Sequence, residues 1–124
     1  MAQDIIFTNE VSQALDNVLE GMNFNKLFVL TDVNTSQLVL PKVDEVLKKH
    51  NAITITIGAG DVNKNLESLA HVWKELGENG GTRRSALVNL GGGMITDLGG
   101  FAASTFKRGI SFINIPTTLL SSVD

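Results

Sequence analysis

The residues with the most chemical potential follow the apolar runs of the chain. One such run passes through Leu90-Gly91-Gly92-Gly93-Met94-Ile95-Thr96-Asp97, a strand-like segment leading through three glycines into a helical one. Without side chains, backbone N–H groups can approach an anion closely, and a helix start adds partial positive charge. A pyrophosphate is the natural guest of such a bend. The same glycines could equally make a tight turn that lets a helix pack close to a strand. The spacing is not the GxGxxG of an ordinary dinucleotide fold, because no glycine stands at the distant third position.

Asp97 lies one helical turn past Gly93 and should face the mouth of the same cleft, although an acid in a first turn also suits the helix dipole. Asp32 closes an apolar run and has two readings of equal standing, a ribose-binding carboxylate or the cap of a helix starting near Asn34. Asp61 and Lys64 follow Gly58-Ala59-Gly60 and could clamp a ribose and adenine or form a capping pair. Lys107-Arg108-Gly109 ends the last helix, where bases complement the negative pole; Arg108 gains a further role if its planar fork reaches a ligand phosphate. Arg83 and Arg84 fit a solvated loop. His50 and His71 are the only histidines, and nothing in the sequence pairs them with acids at metal-ligand spacing.

These residues need elements to hold them. Five short runs rich in β-branched or aromatic residues predict strands: Ile5 to Thr8, Lys26 to Thr31, Ala52 to Ile57, Ala86 to Leu90 and Ile110 to Ile115. Between them, Val11, Leu15, Val18, Leu19 and Met22 fall on one helical face, and so do Leu66, Leu69, Ala70, Trp73 and Leu76. Thr8 or Asn9 can cap the first of these helices. Another helix begins near Asn34 and restarts at Pro41, and the last runs from Gly93 to about Lys107. The alternation predicts an α/β fold, a mainly parallel sheet covered by helices on both faces. Ligands of such sheets collect beyond the carboxyl ends of the strands.

Composition narrows the partners. The 124 residues, 43% hydrophobic, suit one core. A net charge of −3 and the lack of a dense Lys/Arg cluster argue against nucleic acid. With no cysteine there is neither a disulfide framework nor a thiolate metal site. The start MAQDIIFTNE carries no apolar run of signal-peptide or membrane-span length, so no membrane association and a soluble, cytoplasmic protein are expected. Asn34-Thr35-Ser36 then reads as a polar helix entry rather than a glycosylation acceptor. Residues 117–124 open an apolar segment with no closing element, which leads us to expect that the domain continues beyond Asp124.

Taken together, GGGMITDLGGF and FKRGISFINIPTTLLSSVD resemble the signature stretch of the 3-dehydroquinate synthase family, with Thr31-Asp32-Val33-Asn34 and Gly60-Asp61-Val62-Asn63-Lys64 in matching places upstream. The resemblance spans nearly the whole chain. It implies a Rossmann-like, NAD-binding N-terminal domain over residues 1–124, cut before a C-terminal helical metal-binding domain. The implied reaction is conversion of a seven-carbon keto-acid phosphate, 3-deoxy-D-arabino-heptulosonate 7-phosphate, to 3-dehydroquinate in the shikimate pathway. NAD is used catalytically with a divalent metal, zinc or cobalt. By the same resemblance Asp32, Asn34, Asp61 and Lys64 hold the adenosine end of the cofactor, Gly92, Gly93 and Met94 its pyrophosphate, and Asp97 the nicotinamide side. Thr117, Thr118, Leu120 and Asp124 continue the cofactor site, and Arg108 binds substrate phosphate, in the neighbouring subunit of a homodimer. Asp61 is one methylene shorter than the glutamate more common in the family. The metal ligands and catalytic lysines belong to sequence past Asp124, so the chain alone is expected not to turn over. Related sugar-phosphate cyclases, metal-dependent polyol dehydrogenases and a non-catalytic nucleotide-binding module are the competing readings.

Overall fold

In a parallel sheet the central strands are covered on both faces and should be apolar throughout, whereas edge strands can alternate. The structure, a computed structural model, describes residues 8–38, 40–58 and 65–116 and follows this rule. All six residues of β3 (Ala86–Gly91) are buried, as are the first five of β1 (Leu27–Asp32). The alternating or exposed runs β2 (Ile53–Ile57) and β4 (Ser111–Pro116) form the edges. The sheet order is β2-β1-β3-β4, and every pair is parallel. Four of the five predicted strands appear within a residue of their expected bounds. In the fifth, Thr8 belongs instead to the first helix, and residues 5–7 lie outside the described residues.

Among the described residues five α-helices precede or connect the strands: α1 (Thr8–Gly21), α2 (Val33–Leu38), α3 (Leu40–Lys49), α4 (Asn65–Glu78) and α5 (Gly93–Thr105). Pro41 stands in the first turn of α3, where its missing N–H is not needed. α1 and α3 cover one face, packing Val11, Leu15, Leu19, Val43 and Leu47 on Val29, Val88 and Leu90. α4 and α5 cover the other, packing Leu69, Val72, Leu76, Ile95, Ala102 and Ala103 on Phe28, Leu30, Ile55 and Leu87.

Two predicted stripes need correction. On α1, Val18 is 48% exposed although its neighbours are buried. On α4, the buried face is centred on Leu69, Val72 and Leu76, leaving Leu66 82% exposed and Ala70 and Trp73 at the surface. Val72 sets that rotation, because Leu69, Val72 and Leu76 follow one another at i, i+3 and i+7. Trp73 instead donates its indole N–H to Thr105 Oγ at 3.1 Å, tying α4 to α5.

The chain order places the site. From β1 it crosses one face through α2 and α3 to β2, then the other face through α4 to β3. The direction of winding therefore reverses between β1 and β3. A crevice opens at such a reversal, beyond the carboxyl ends of the two strands.

Candidate functional site

Asp32 ends β1 and Gly91 ends β3, each two residues past the paired Leu30 and Asn89, so the two flank the crevice. The three glycines do different work. A Cβ on Gly91 would lie 2.8 Å from the Ile95 Cβ, so this glycine serves close packing of α5 on β3. A Cβ on Gly92 or Gly93 would meet nothing within 4 Å. Both residues are exposed, and Gly92 caps α5 in an extended conformation (φ −78°, ψ −173°) without a side-chain hydrogen bond. The first amide of the helix with a backbone acceptor is that of Thr96, bonded to the Gly92 carbonyl at 3.0 Å. The amides before it point out of the helix start with no side chain to cap them. That supplies bare donors, positive dipole and open space together, the combination a diphosphate needs. Of the two readings of the glycine run, packing applies to Gly91, while Gly92 and Gly93 leave open the room that an anion's approach would need.

Met94 and Asp97 are exposed on the first turns of α5 beside this opening. Asp32 is half-buried and caps α2: Oδ1 accepts from the Thr35 N–H at 2.7 Å and Oδ2 from the Thr35 hydroxyl at 3.1 Å. The capping reading is thus realised. A carboxylate has about four acceptor sites, so it keeps capacity for a ligand hydroxyl. Asn34 is exposed on the same helix. Asp61, Lys64, Thr117, Thr118, Leu120 and Asp124 lie outside the described residues.

Arg108 lies elsewhere. It is exposed in a single 3-10 turn, Phe106–Arg108, after the far end of α5. At ~1.5 Å per residue the helix separates it from the Gly92-Gly93 bend by about 20 Å. It cannot bind the anion that the bend of its own chain would hold.

The edge of the sheet at the strand starts also brings together groups that the sequence kept apart. His50 Nε2 is hydrogen-bonded to Asp16 Oδ1 at 2.9 Å and lies 3.6 Å from Glu20, and Lys49 Nζ contacts Asp16 at 2.9 Å and Glu20 at 3.3 Å. The expectation that no acid pairs with a histidine is corrected here, since Asp16 and His50 are 34 positions apart and invisible to local spacing. The His50 hydrogen bond, then that of Lys49, holds the Asp16 carboxyl below its ordinary value. Among the described residues this is the one group of three or more acids and histidines close enough to share a cation. Lys49 already offsets one of its two carboxylate charges. Arg83 and Arg84 are exposed in a turn, as expected. They line a cavity of about 370 Å³ with Phe24, Ser85 and Ser111, again at the strand starts.

One polar pair, a buried asparagine with an exposed one, was not foreseen. Asn89, in the middle of β3, donates its amide to Asn114 of β4 at 3.0 Å, its register partner, while its Oδ1 is buried without a hydrogen bond. A Cβ on Gly99 would collide with that side chain. Gly99 thus lets α5 lie over an asparagine, a signal present in the sequence only as one more small residue.

Fold and site together define a parallel α/β domain of Rossmann-like type with an open glycine bend at its strand-order reversal. The chain belongs to the 3-dehydroquinate synthase family: the family profile described as 3-dehydroquinate synthase N-terminal matches residues 54–124. The chain is 47% identical over 122 residues to the 3-dehydroquinate synthase of Parabacteroides distasonis, covering 98% of this chain and 35% of that protein. It is 42% identical over 110 residues to that of Pyrococcus furiosus, covering 89% and 33%. The chain therefore spans about a third of the length of these curated relatives. Among solved structures, 2-deoxy-scyllo-inosose synthase complexed with carbaglucose-6-phosphate, NAD+ and Co2+ superposes with a TM-score of 0.76 at 23% identity, over 86% of this chain and 29% of that one. The 2-epi-5-epi-valiolone synthase of Streptomyces hygroscopicus, with NAD+ and Zn2+ bound, gives a TM-score of 0.63 at 24% identity, over 81% and 28%. These likenesses bear out the predicted fold. No described helix is long and apolar enough to cross a membrane.

Proposed function

We propose that this chain is the NAD-binding portion of a 3-dehydroquinate synthase, which converts 3-deoxy-D-arabino-heptulosonate 7-phosphate to 3-dehydroquinate and phosphate in the shikimate pathway. The observation that carries the proposal is the open Gly92-Gly93 bend at the β1/β3 reversal, in a chain of this family. Identities of 42–47% to 3-dehydroquinate synthases, against 23–24% to the other cyclases, favour this substrate over theirs.

In this reading the amides of Gly93 and Met94 hold the diphosphate of NAD. Asp32 and Asn34, with Asp61 and Lys64, hold the adenosine end, and Asp97 faces the nicotinamide side. Thr117, Thr118, Leu120 and Asp124 continue the site. Held there, NAD would supply reversible oxidation of a substrate alcohol, the chemistry that would activate the neighbouring C–H for loss of phosphate. The bend fits that cofactor because a side chain at Gly92 or Gly93 would fill space that the protein leaves open. A divalent metal does not fit the described residues in the same way. Their one acid–histidine group is already occupied by Lys49, which contacts both of its carboxylates, and lies at the strand starts, away from the bend, so the metal is assigned to ligands in the rest of the enzyme. By the family resemblance Arg108 serves substrate phosphate in a second copy of the chain; it stands about 20 Å from the bend assigned to NAD. The protein acts in the cytoplasm as a homodimer, and the 124-residue chain alone forms no dehydroquinate.

The test is calorimetric titration of NAD into the full-length protein and its Gly93→Val variant. Each lost amide-to-phosphate bond weakens binding about tenfold or more, so the variant should bind at least ~100-fold more weakly and lose dehydroquinate formation in parallel. Equal affinities would overturn the assignment of the bend.

A further inference from the structure

β3 is buried along its whole length, yet one of its six residues is polar. Asn89 lies fully buried between Val88 and Leu90, in the row Leu87, Asn89 and Gly91 that faces α5. Its amide donates to Asn114 Oδ1 at 3.0 Å. Its own Oδ1 has no hydrogen bond and sits where a Cβ on Gly99 would stand. A buried oxygen left without a donor lowers stability, and an aliphatic residue like its neighbours would not carry that cost. A polar group kept in a core in spite of its cost has one well-attested use, to fix the register of two elements.

The strand that Asn89 holds needs such a fix. Among the described residues β4 pairs with β3 alone, and four of its six residues are exposed. On the α1 side the pairs Val88–Ile113 and Leu90–Ile115 are aliphatic, so they would match as well after a shift of two residues. On the α5 side the pairs are Leu87–Phe112, Asn89–Asn114 and Gly91–Pro116. A shift of two sets Asn89 opposite a phenyl or a proline ring, and its buried amide loses its acceptor. The start of β4 has a separate anchor, because Ile110 is buried and its N–H bonds to the Ala103 carbonyl at 2.8 Å. Towards the far end the asparagine pair is the one side-chain hydrogen bond between the two strands among the described residues. The ladder stops at Gly91–Pro116, where proline has no N–H to extend it.

We propose that Asn89 and Asn114 are positioning residues for the cofactor site: their bond clamps the end of β4 to β3 in the one register that sets Pro116 beside Gly91, next to the open bend. This rests on the reading, made above, that the bend holds NAD. Thr117 and Thr118, which that reading adds to the site, follow Pro116 directly in sequence. The clamp therefore sets the point from which they depart. The unsatisfied oxygen of Asn89 is the stability given up for that placement.

Three variants of the full-length enzyme decide it, each read by NAD affinity, thermal unfolding midpoint and amide hydrogen exchange along β4. Asn89→Val combined with Asn114→Val removes the bond and the unsatisfied oxygen together. Its midpoint should stay within about 2 °C of wild type or rise, while NAD binds about tenfold more weakly and the β4 amides exchange about tenfold faster. Asn114→Val alone, a change at an exposed position, leaves the buried Asn89 amide without an acceptor. Its midpoint should fall by about 2 °C or more, with the same tenfold loss of affinity. Asn114→Asp keeps the acceptor and should bind NAD within about threefold of wild type. Affinity that follows the bond while the midpoint does not is the mark of a positioning role. If affinity follows the midpoint instead, or if either valine variant binds NAD as wild type does, the clamp is wrong and the bend keeps its assignment. If Gly93→Val also binds NAD normally, the parent reading falls and the clamp's place in a cofactor site falls with it.

Discussion

The two edges of the sheet handle polarity in opposite ways. At the strand starts, polar groups satisfy one another: Asn25, Thr82 and Ser85 form a closed set of hydrogen bonds at 2.8 to 3.0 Å, and Asp16, Lys49 and His50 form another. At the strand ends, donors are left over. Gly92 has no capping side chain, Gly93 faces open space, and Met94 and Asp97 are exposed around them. An edge whose hydrogen bonds close on themselves contributes to stability, and an edge with amides to spare has binding capacity. The comparison teaches that a helix start can be a site through what its sequence omits.

The sharpest separation of the two edges comes from Gly93→Val. It should weaken NAD binding at least ~100-fold yet leave the unfolding free energy within about 0.5 kcal/mol of wild type, because a Cβ there meets no protein atom within 4 Å. Loss of stability on that scale or above would mean that the bend is packed rather than open. Gly99→Ala should do the reverse. Its methyl collides with the buried Asn89 amide, and overpacking of this kind lowers stability by about 1 to 3 kcal/mol, with NAD affinity retained as long as the domain is folded.

Next in size is Asp32→Ala, which removes the cap of α2 and should lower stability by about 1 kcal/mol. If Asp32 also binds a ribose, NAD affinity falls by more than a helix cap explains, whereas Asp32→Asn keeps the cap and should still bind NAD less well. Equal NAD affinity in all three proteins would leave Asp32 to the cap alone.

Local pattern made one kind of feature legible and hid another. β1 and β3 were readable because a strand covered on both faces is apolar throughout, and the bend because three glycines between a strand and a helix are conspicuous. The split between Gly91 and its two followers was not readable, since it depends on how Ile95 seats over β3. The rotation of α4 was missed because both Leu66 and Leu69 fit helical spacing, and only the sheet decides which is covered. The Asp16–His50 contact joins α1 to the end of α3 across 34 residues, a distance over which spacing carries no information. The phosphate role proposed for Arg108 rests on family resemblance alone, and its left-handed backbone could not be read from residue types that ordinarily avoid it.

The smallest expected effect concerns the self-satisfied edge and is a matter of pH. Asp16 lies below its ordinary value of 3.8 because His50 and Lys49 stabilise its charged form in the folded chain. A group depressed in this way contributes stability above its unfolded value and loses it as pH falls through the lower folded value. The contribution is therefore intact at neutral pH and disappears in the acid range below about 3.8. Asp16→Asn should lower the urea midpoint modestly at pH 6, and the gap to wild type should close as pH is taken down towards 2. Asp16 is solvated and its partner Lys49 is exposed, so screening keeps the gap small and salt should narrow it further. NAD affinity at pH 7 should not change, because the Asp16 cluster and the glycine bend occupy opposite edges of the sheet. A gap constant from pH 6 to 2 would show that Asp16 acts through packing or a neutral hydrogen bond, and a change in NAD affinity would show that the two edges are not independent.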